Sequence, residues 1–136
     1  MGNKLVNILL VEDDEVDVMN VQRAFKKNNI QNPLFIANNG VEALEMLETD
    51  IVPLPKIIIL DINMPKMNGI EFLKKVRENE RFKNISVFVM TTSNEDSDKI
   101  SAYNLNVAGY ILKPLSFEKF LVSVATLSNY WQLCEL

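Results

Sequence analysis

Five short aliphatic runs alternate with longer stretches whose apolar residues recur at helical spacing: LVNILLV (5–11), LFIA (34–37), IIIL (57–60), ISVFVM (85–90) and YIL (110–112). Runs that are apolar on both faces and end in polar punctuation suit the strands of a parallel sheet covered by helices. After the first run, Asp14 predicts an N-cap with Glu15 and Asp17 in the first turn, where the helix dipole favours acids. That helix reaches about Asn28, with Val18, Val21 and Phe25 on one side and Val16, Met19 and Ala24 widening the stripe. Asn38-Asn39-Gly40 predicts a turn built from residues that tolerate positive φ, and Val41, Leu44 and Leu47 mark a helix to Glu48. Ile70, Leu73 and Val76 mark a third helix. Ser93 or Asn94 caps a polar fourth helix reaching Asn104, and Ser116 caps a last one, where Phe117, Phe120, Leu121 and Val124 fall at i, i+3, i+4 and i+7. The pattern is βα five times over, an α/β doubly wound domain with right-handed crossovers. Its 136 residues fill one such domain, so the expectation is a single domain over 1–136 with no output domain.

The third run decides where to look for chemistry. Its apolar residues end abruptly in Asp61. A carboxylate inside a strand buried on both faces would carry a large desolvation cost, so Asp61 belongs at the carboxyl end of the strand. In open α/β sheets that edge is where ligands bind. The same edge receives Glu12 and Asp13 from the first strand, Thr91 from the fourth and Lys113 from the fifth. With strand order 2-1-3-4-5, the flavodoxin-like three-layer arrangement, the first and third strands are neighbours and the three acids share a pocket.

Composition narrows what that pocket can do. The chain has no histidine, which excludes Ser-His-Asp and Cys-His catalysis, histidine-ligated zinc and any phosphohistidine step on this chain. A net charge of −4 without a basic cluster argues against nucleic-acid binding. No apolar run approaches the roughly 20 residues that span a bilayer, so no membrane role is expected. A single cysteine, Cys134, rules out an internal disulfide and fits a reducing compartment, here read as the cytoplasm.

Three carboxylates a few ångströms apart cannot all stay ionised unless a cation joins them. With oxygen donors only, the expected ion is hard: Mg²⁺ first, Mn²⁺ or Ca²⁺ otherwise. Mg²⁺ keeps ligand positions open to phosphate oxygens, Lys113 can neutralise a second phosphoryl oxygen and the Thr91 hydroxyl can donate to a third. A strand-end Asp nucleophile beside a metal, a lysine and a hydroxyl is what an acyl-phosphate site needs.

At these residues the sequence resembles the response-regulator receiver domains of two-component signalling, the CheY-like family. The resemblance is carried by ILLVEDDE (8–15), LDINMPKMNG (60–69), VFVMTTS (87–93) and AGYILKP (108–114), which with the helices between them cover essentially the whole chain. It implies that Asp61 is the phosphoacceptor, Asp13 a direct metal ligand and Glu12 a ligand acting largely through water. It further implies that Asn63 gives its backbone carbonyl to the metal and that Tyr110 is an aromatic switch coupled to Thr91. Many relatives carry Asp where this chain has Glu12. The stretches 28–47, 91–114 and 129–136 are also similar to the single-domain regulators associated with bacterial phytochromes. That likeness implies a sensor histidine kinase partner, a bacteriophytochrome among the candidates, and a tendency to dimerise.

Blander readings exist for each residue alone. Glu12–Glu15 is a common way to start a helix, Thr91 a common cap, Lys113 a common surface lysine and Tyr110 a half-buried strand aromatic. Their convergence on one edge favours a site. Tyr130 and Trp131 read equally well as packing on the last helix or as an interface. A haloacid-dehalogenase-type phosphatase also uses a strand-end Asp, but Asp61-Ile62-Asn63 lacks that family's second acid. An FMN carrier would need a hydroxyl- and Gly-rich loop where Glu12–Glu15 stand. The leading expectation is a phosphorylation-controlled binding module that signals to a downstream protein. It is expected to dimerise through the helix after the fourth strand, the fifth strand, the last helix and the YWQLCEL tail.

Overall fold

The computed structural model describes residues 6–51, 55, 57–62, 69–91, 104–112 and 116–133, without the side chains of Leu112 and Leu133. In chain order these residues form β1 (Ile8–Val11), α1 (Glu15–Lys27), β2 (Leu34–Ala37), α2 (Gly40–Glu48), β3 (Ile57–Asp61), α3 (Gly69–Glu78), β4 (Ser86–Thr91), β5 (Gly109–Leu112) and α4 (Phe117–Leu133). The strands pair in parallel in the order β2-β1-β3-β4-β5, as the βα alternation predicts. Four helices stand among the described residues where (βα)5 calls for five. The helix expected to reach Asn104 lies outside them, and so do Asn63, Lys113 and the closing 134–136. No helix among the described residues is long and apolar enough to cross a membrane.

The period of two along each strand sorts the core into two layers. Leu9, Val11, Ile58, Leu60, Val87 and Val89 face one side and pack with Ala43 and Leu47 of α2 and Phe72, Leu73 and Val76 of α3. Ile8, Leu10, Ile57, Ile59, Phe88 and Met90 face the other and pack with Val21, Ala24 and Phe25 of α1 and Val124, Leu127 and Trp131 of α4. The unbroken apolar runs are thus explained: every residue of β1 and β3 is buried, whichever face it takes.

The helix ends follow local chemistry. Asp14 Oδ1 accepts the Val16 and Asp17 amides at 2.8 and 3.3 Å, the expected N-cap. Ser116 caps α4, its Oγ accepting the Lys119 amide at 3.2 Å. The expected positive-φ turn at Asn38-Asn39-Gly40 is replaced by a cap. Asn39 is extended (φ −163°), its Oδ1 accepts the Glu42 amide at 2.8 Å, and Gly40 is already helical. Among the described residues, the asparagines that do take positive φ are Asn29, Asn104 and Asn106.

Trp131 belongs to the core: it is 5% exposed and its ring lies 6.1 Å from that of Phe25. Tyr130 instead stays 47% exposed, its ring edge-on to Phe88 at 5.6 Å. Between α1 and α4, Asn28 Nδ2 donates to the Leu121 carbonyl at 3.0 Å, and the Arg23 guanidinium lies 4.2 Å over the Phe117 ring.

Gly69 starts α3 against the end of β3. A methyl there would lie 2.5 Å from Ile62 Cα and 2.9 Å from the Asp61 carbonyl oxygen, both backbone atoms that cannot step aside. The Gly69 amide also donates to the Ile62 carbonyl at 3.1 Å. Gly69→Ala should therefore destabilise by about 1–3 kcal/mol, the range for overpacking a tight site, read as a lower urea midpoint at unchanged slope. An unchanged midpoint would mean that α3 can shift outward freely.

Candidate functional site

Register builds the site. Val11 of β1 pairs with Leu60 of β3, so the next residues, Glu12 and Asp61, arrive side by side at the carboxyl edge. Both continue rows that face α1, Glu12 after Ile8 and Leu10, and Asp61 after Ile57 and Ile59. Asp61 pairs with Met90 across the β3–β4 ladder, and the Ile62 amide extends that ladder by donating to the Met90 carbonyl at 3.2 Å.

Glu12 and Asp61 are buried, at 0% and 4% exposure, whereas Asp13 is exposed. One carboxylate oxygen from each of the three lies within 4.8 Å of the others. Glu12 is held at two points: its amide donates to the Ala37 carbonyl at 3.0 Å, and its Oε2 accepts the Asp14 amide at 3.2 Å. Two like charges at 4 Å repel by about 4 kcal/mol at the effective dielectric of a protein surface. A divalent cation turns that repulsion into attraction. An all-oxygen donor set, two members buried and one open to solvent, has the chemistry for a hard ion that keeps some of its waters.

Thr91 closes β4, 2% exposed, and pairs with Leu112, the last residue of β5. It is a buried strand end. Tyr110 pairs with Val89, so the alternation directs Tyr110, Val89 and Thr91 to the same face of the sheet, and Tyr110 is 42% exposed there. Glu12, Asp13, Asp61 and Thr91 thus meet at one edge. Lys113 and Asn63 each follow a described strand end closely in sequence, but both lie outside the described residues. The burial and anchoring of Glu12 were not legible in the sequence, because they depend on the β1–β2 and β1–β3 pairings rather than on any local pattern.

Residues 8–125 match the family described as the response regulator receiver domain. The chain belongs to the response-regulator receiver family. The probable methanogenesis regulatory protein FilR2 of Methanothrix harundinacea is 37% identical over 127 residues, covering 91% of this chain and 82% of FilR2. The response regulator Rcp1 of Synechocystis sp. is 35% identical over 128 residues, covering 91% of this chain and 87% of Rcp1. Among solved structures, the phosphorylated cyanobacterial phytochrome response regulator RcpA superposes with a TM-score of 0.86 at 27% identity, over 98% of each chain. This chain is therefore a two-component response regulator of the receiver type, similar to regulators associated with phytochromes. The phosphatase alternative finds no support among these relatives.

The three-carboxylate cluster makes a direct prediction. Mn²⁺ should bind and raise the thermal midpoint. Asp13→Asn or Asp61→Asn should weaken Mn²⁺ by at least the ~10–100-fold that the loss of even an outer-shell partner costs. Glu15→Gln, on the exposed first turn of α1, should leave it unchanged. Equal affinity in all four proteins by calorimetric titration would place the ion elsewhere.

Proposed function

We propose that Asp61 is the phosphoacceptor of this response regulator. The observation that carries the reading is the β1–β3 register, which brings Glu12 and Asp61 together at the sheet edge with Asp13 beside them. The donor is a phosphohistidine on a sensor histidine kinase, since this chain has no histidine of its own. One carboxylate oxygen of Asp61 forms the new O–P bond while the N–P bond to the donor imidazole breaks, and the imidazole keeps the electron pair. Burial at the end of β3 fixes that oxygen in one orientation, so positioning is supplied before the donor arrives. A bound Mg²⁺ would screen the acidic cluster from the incoming phosphoryl oxygens. Asp13 and Asp61 are its proposed direct ligands, with the Asn63 backbone carbonyl, and Glu12 acts largely through water. The related Rcp1 has a solved Mn²⁺-bound form, which supports a divalent ion here. Thr91 and Lys113 stabilise the transferred group, and slow hydrolysis at the same site resets it.

The output is a protein contact. Phosphorylation draws the Thr91 hydroxyl toward Asp61, and Tyr110, on the same face, follows into the space released. The surface around β5 and α4 changes, which is switching by a local charge event. Exposed apolar residues lie on these elements: Val122 and Tyr130 on α4, 66% and 47% exposed, and Tyr110 on β5, 42% exposed. A homodimer through this face, the preceding helix and the tail is the proposed assembly, and a phytochrome-type kinase is the proposed upstream partner. The cytoplasm is the proposed compartment.

Wild-type protein with Mg²⁺ and acetyl phosphate should gain one phosphoryl group by intact mass, and Asp61→Asn none. Full modification of the mutant would end the assignment. Light scattering at micromolar concentration, with and without beryllofluoride, should show a dimer in at least one state; a clean monomer in both would refute the assembly.

A further inference from the structure

The opposite edge of the sheet holds a second organised centre, built on Arg77 in the last turn of α3. Its guanidinium donates to four backbone carbonyls: Nε to Leu105 at 2.7 Å, Nη1 to Lys83 at 2.9 Å and to Ile85 at 2.8 Å, and Nη2 to Asn106 at 2.6 Å. Burial among these groups pulls the guanidinium below its ordinary pKa, yet arginine keeps its charge at any physiological pH. Lys83 and Ile85 lie just before β4, and Leu105 and Asn106 lie just before β5. One planar fork therefore ties together the starting points of two adjacent strands.

That tie answers a question the rest of β5 leaves open. β5 is an edge strand, paired only with β4 and in parallel, so no hairpin turn sets its register. Its own side chains specify little. Among its described side chains, Gly109 has none, Tyr110 is 42% exposed, and Ile111 is buried in the core. The approach to β5 is also unusual backbone, with Asn104 and Asn106 at φ 54° and 50° on either side of buried Leu105. Two of the four contacts, to the Leu105 and Asn106 carbonyls, hold this segment, and the other two anchor it to the approach to β4. The Ala108 amide, donating to the Val87 carbonyl at 2.7 Å, then starts the ladder that ends with Leu112 opposite Thr91.

We propose that Arg77 is a positioning residue for phosphotransfer, fixing the register of β5 on β4 and hence the placing of Leu112 opposite Thr91. The proposal rests on the phosphoacceptor reading of Asp61 above. A slip of one residue would displace the strand by about 3.3 Å and turn Tyr110 to the other face. A misplacement of even about 1 Å costs roughly a hundredfold in rate. The metal ligands on β1 and β3 are not tied to this fork, so ion affinity and phosphotransfer should separate.

The test compares wild type with Arg77→Met, which keeps a stem and loses every donor, and Arg77→Lys, which keeps the charge and loses the planar fork. Phosphorylation by acetyl phosphate at saturating Mg²⁺ should slow by about tenfold or more in both variants. Mn²⁺ affinity should stay unchanged. Amide exchange should accelerate at residues 109–112 and not at 8–11. Wild-type rates in Arg77→Lys, the variant most certain to fold, would overturn the proposal. So would a parallel loss of Mn²⁺ affinity, which would mark general loosening instead of a displaced strand. If the wild type itself takes no phosphoryl group, the Asp61 reading falls and this inference with it.

Discussion

The pairing of β1 with β3 is the constraint on which the site depends. Both strands are buried on both faces and apolar up to their carboxyl ends, where the acid comes last: Asp61 closes β3 and Glu12 follows β1. The parallel register makes those two buried positions neighbours. Glu12 and Asp61 are not brought together by attraction; they repel. The stability of the two hydrophobic layers above and below the sheet holds them in place against that repulsion. A cluster so maintained is the donor set proposed above for a divalent cation.

The two layers have different work. The layer under α1 and α4 carries the rows that end in Glu12 and Asp61 and is cross-linked by Asn28–Leu121, Arg23–Phe117 and Phe25–Trp131. The layer under α2 and α3 carries the rows that end in Thr91 and includes the exposed Tyr110. The rows that end in the two buried acids thus face one layer, and the row that ends in Thr91 faces the other. Gly69 and Arg77 bracket α3. Gly69 presses its start against the Asp61 backbone, and Arg77 ties its end to the roots of β4 and β5.

Much of this was legible in the sequence, for a physical reason. Strands buried on both faces write themselves as IIIL and ILLV, and an acid straight after such a run has one place to go. The strand order, the Asp14 cap and the convergence of Glu12, Asp13, Asp61 and Thr91 followed from that. What stayed hidden depends on tertiary approach. Gly69 looks like any loop glycine until the Ile62 backbone is placed beside it. Asn39 and Gly40 read as a turn because asparagine serves as a positive-φ residue and as a cap, and only the dihedral angle tells which. Arg77 has an ordinary helix-end position, and its four partners are carbonyls that no sequence pattern marks. Trp131 could have faced either way, since the last helix is apolar around much of its circumference.

The central claim is that Asp61, held at the end of β3, is the group that becomes an acyl phosphate. Borohydride reduction of the freshly phosphorylated protein, followed by peptide mass mapping, tests it most directly, because an aspartyl phosphate is reduced to homoserine at the carbon that carried it. The account predicts homoserine at position 61 and at no other acidic residue, Glu12 and Asp13 included. Homoserine or its glutamate-derived counterpart elsewhere, with Asp61 recovered intact, would contradict it.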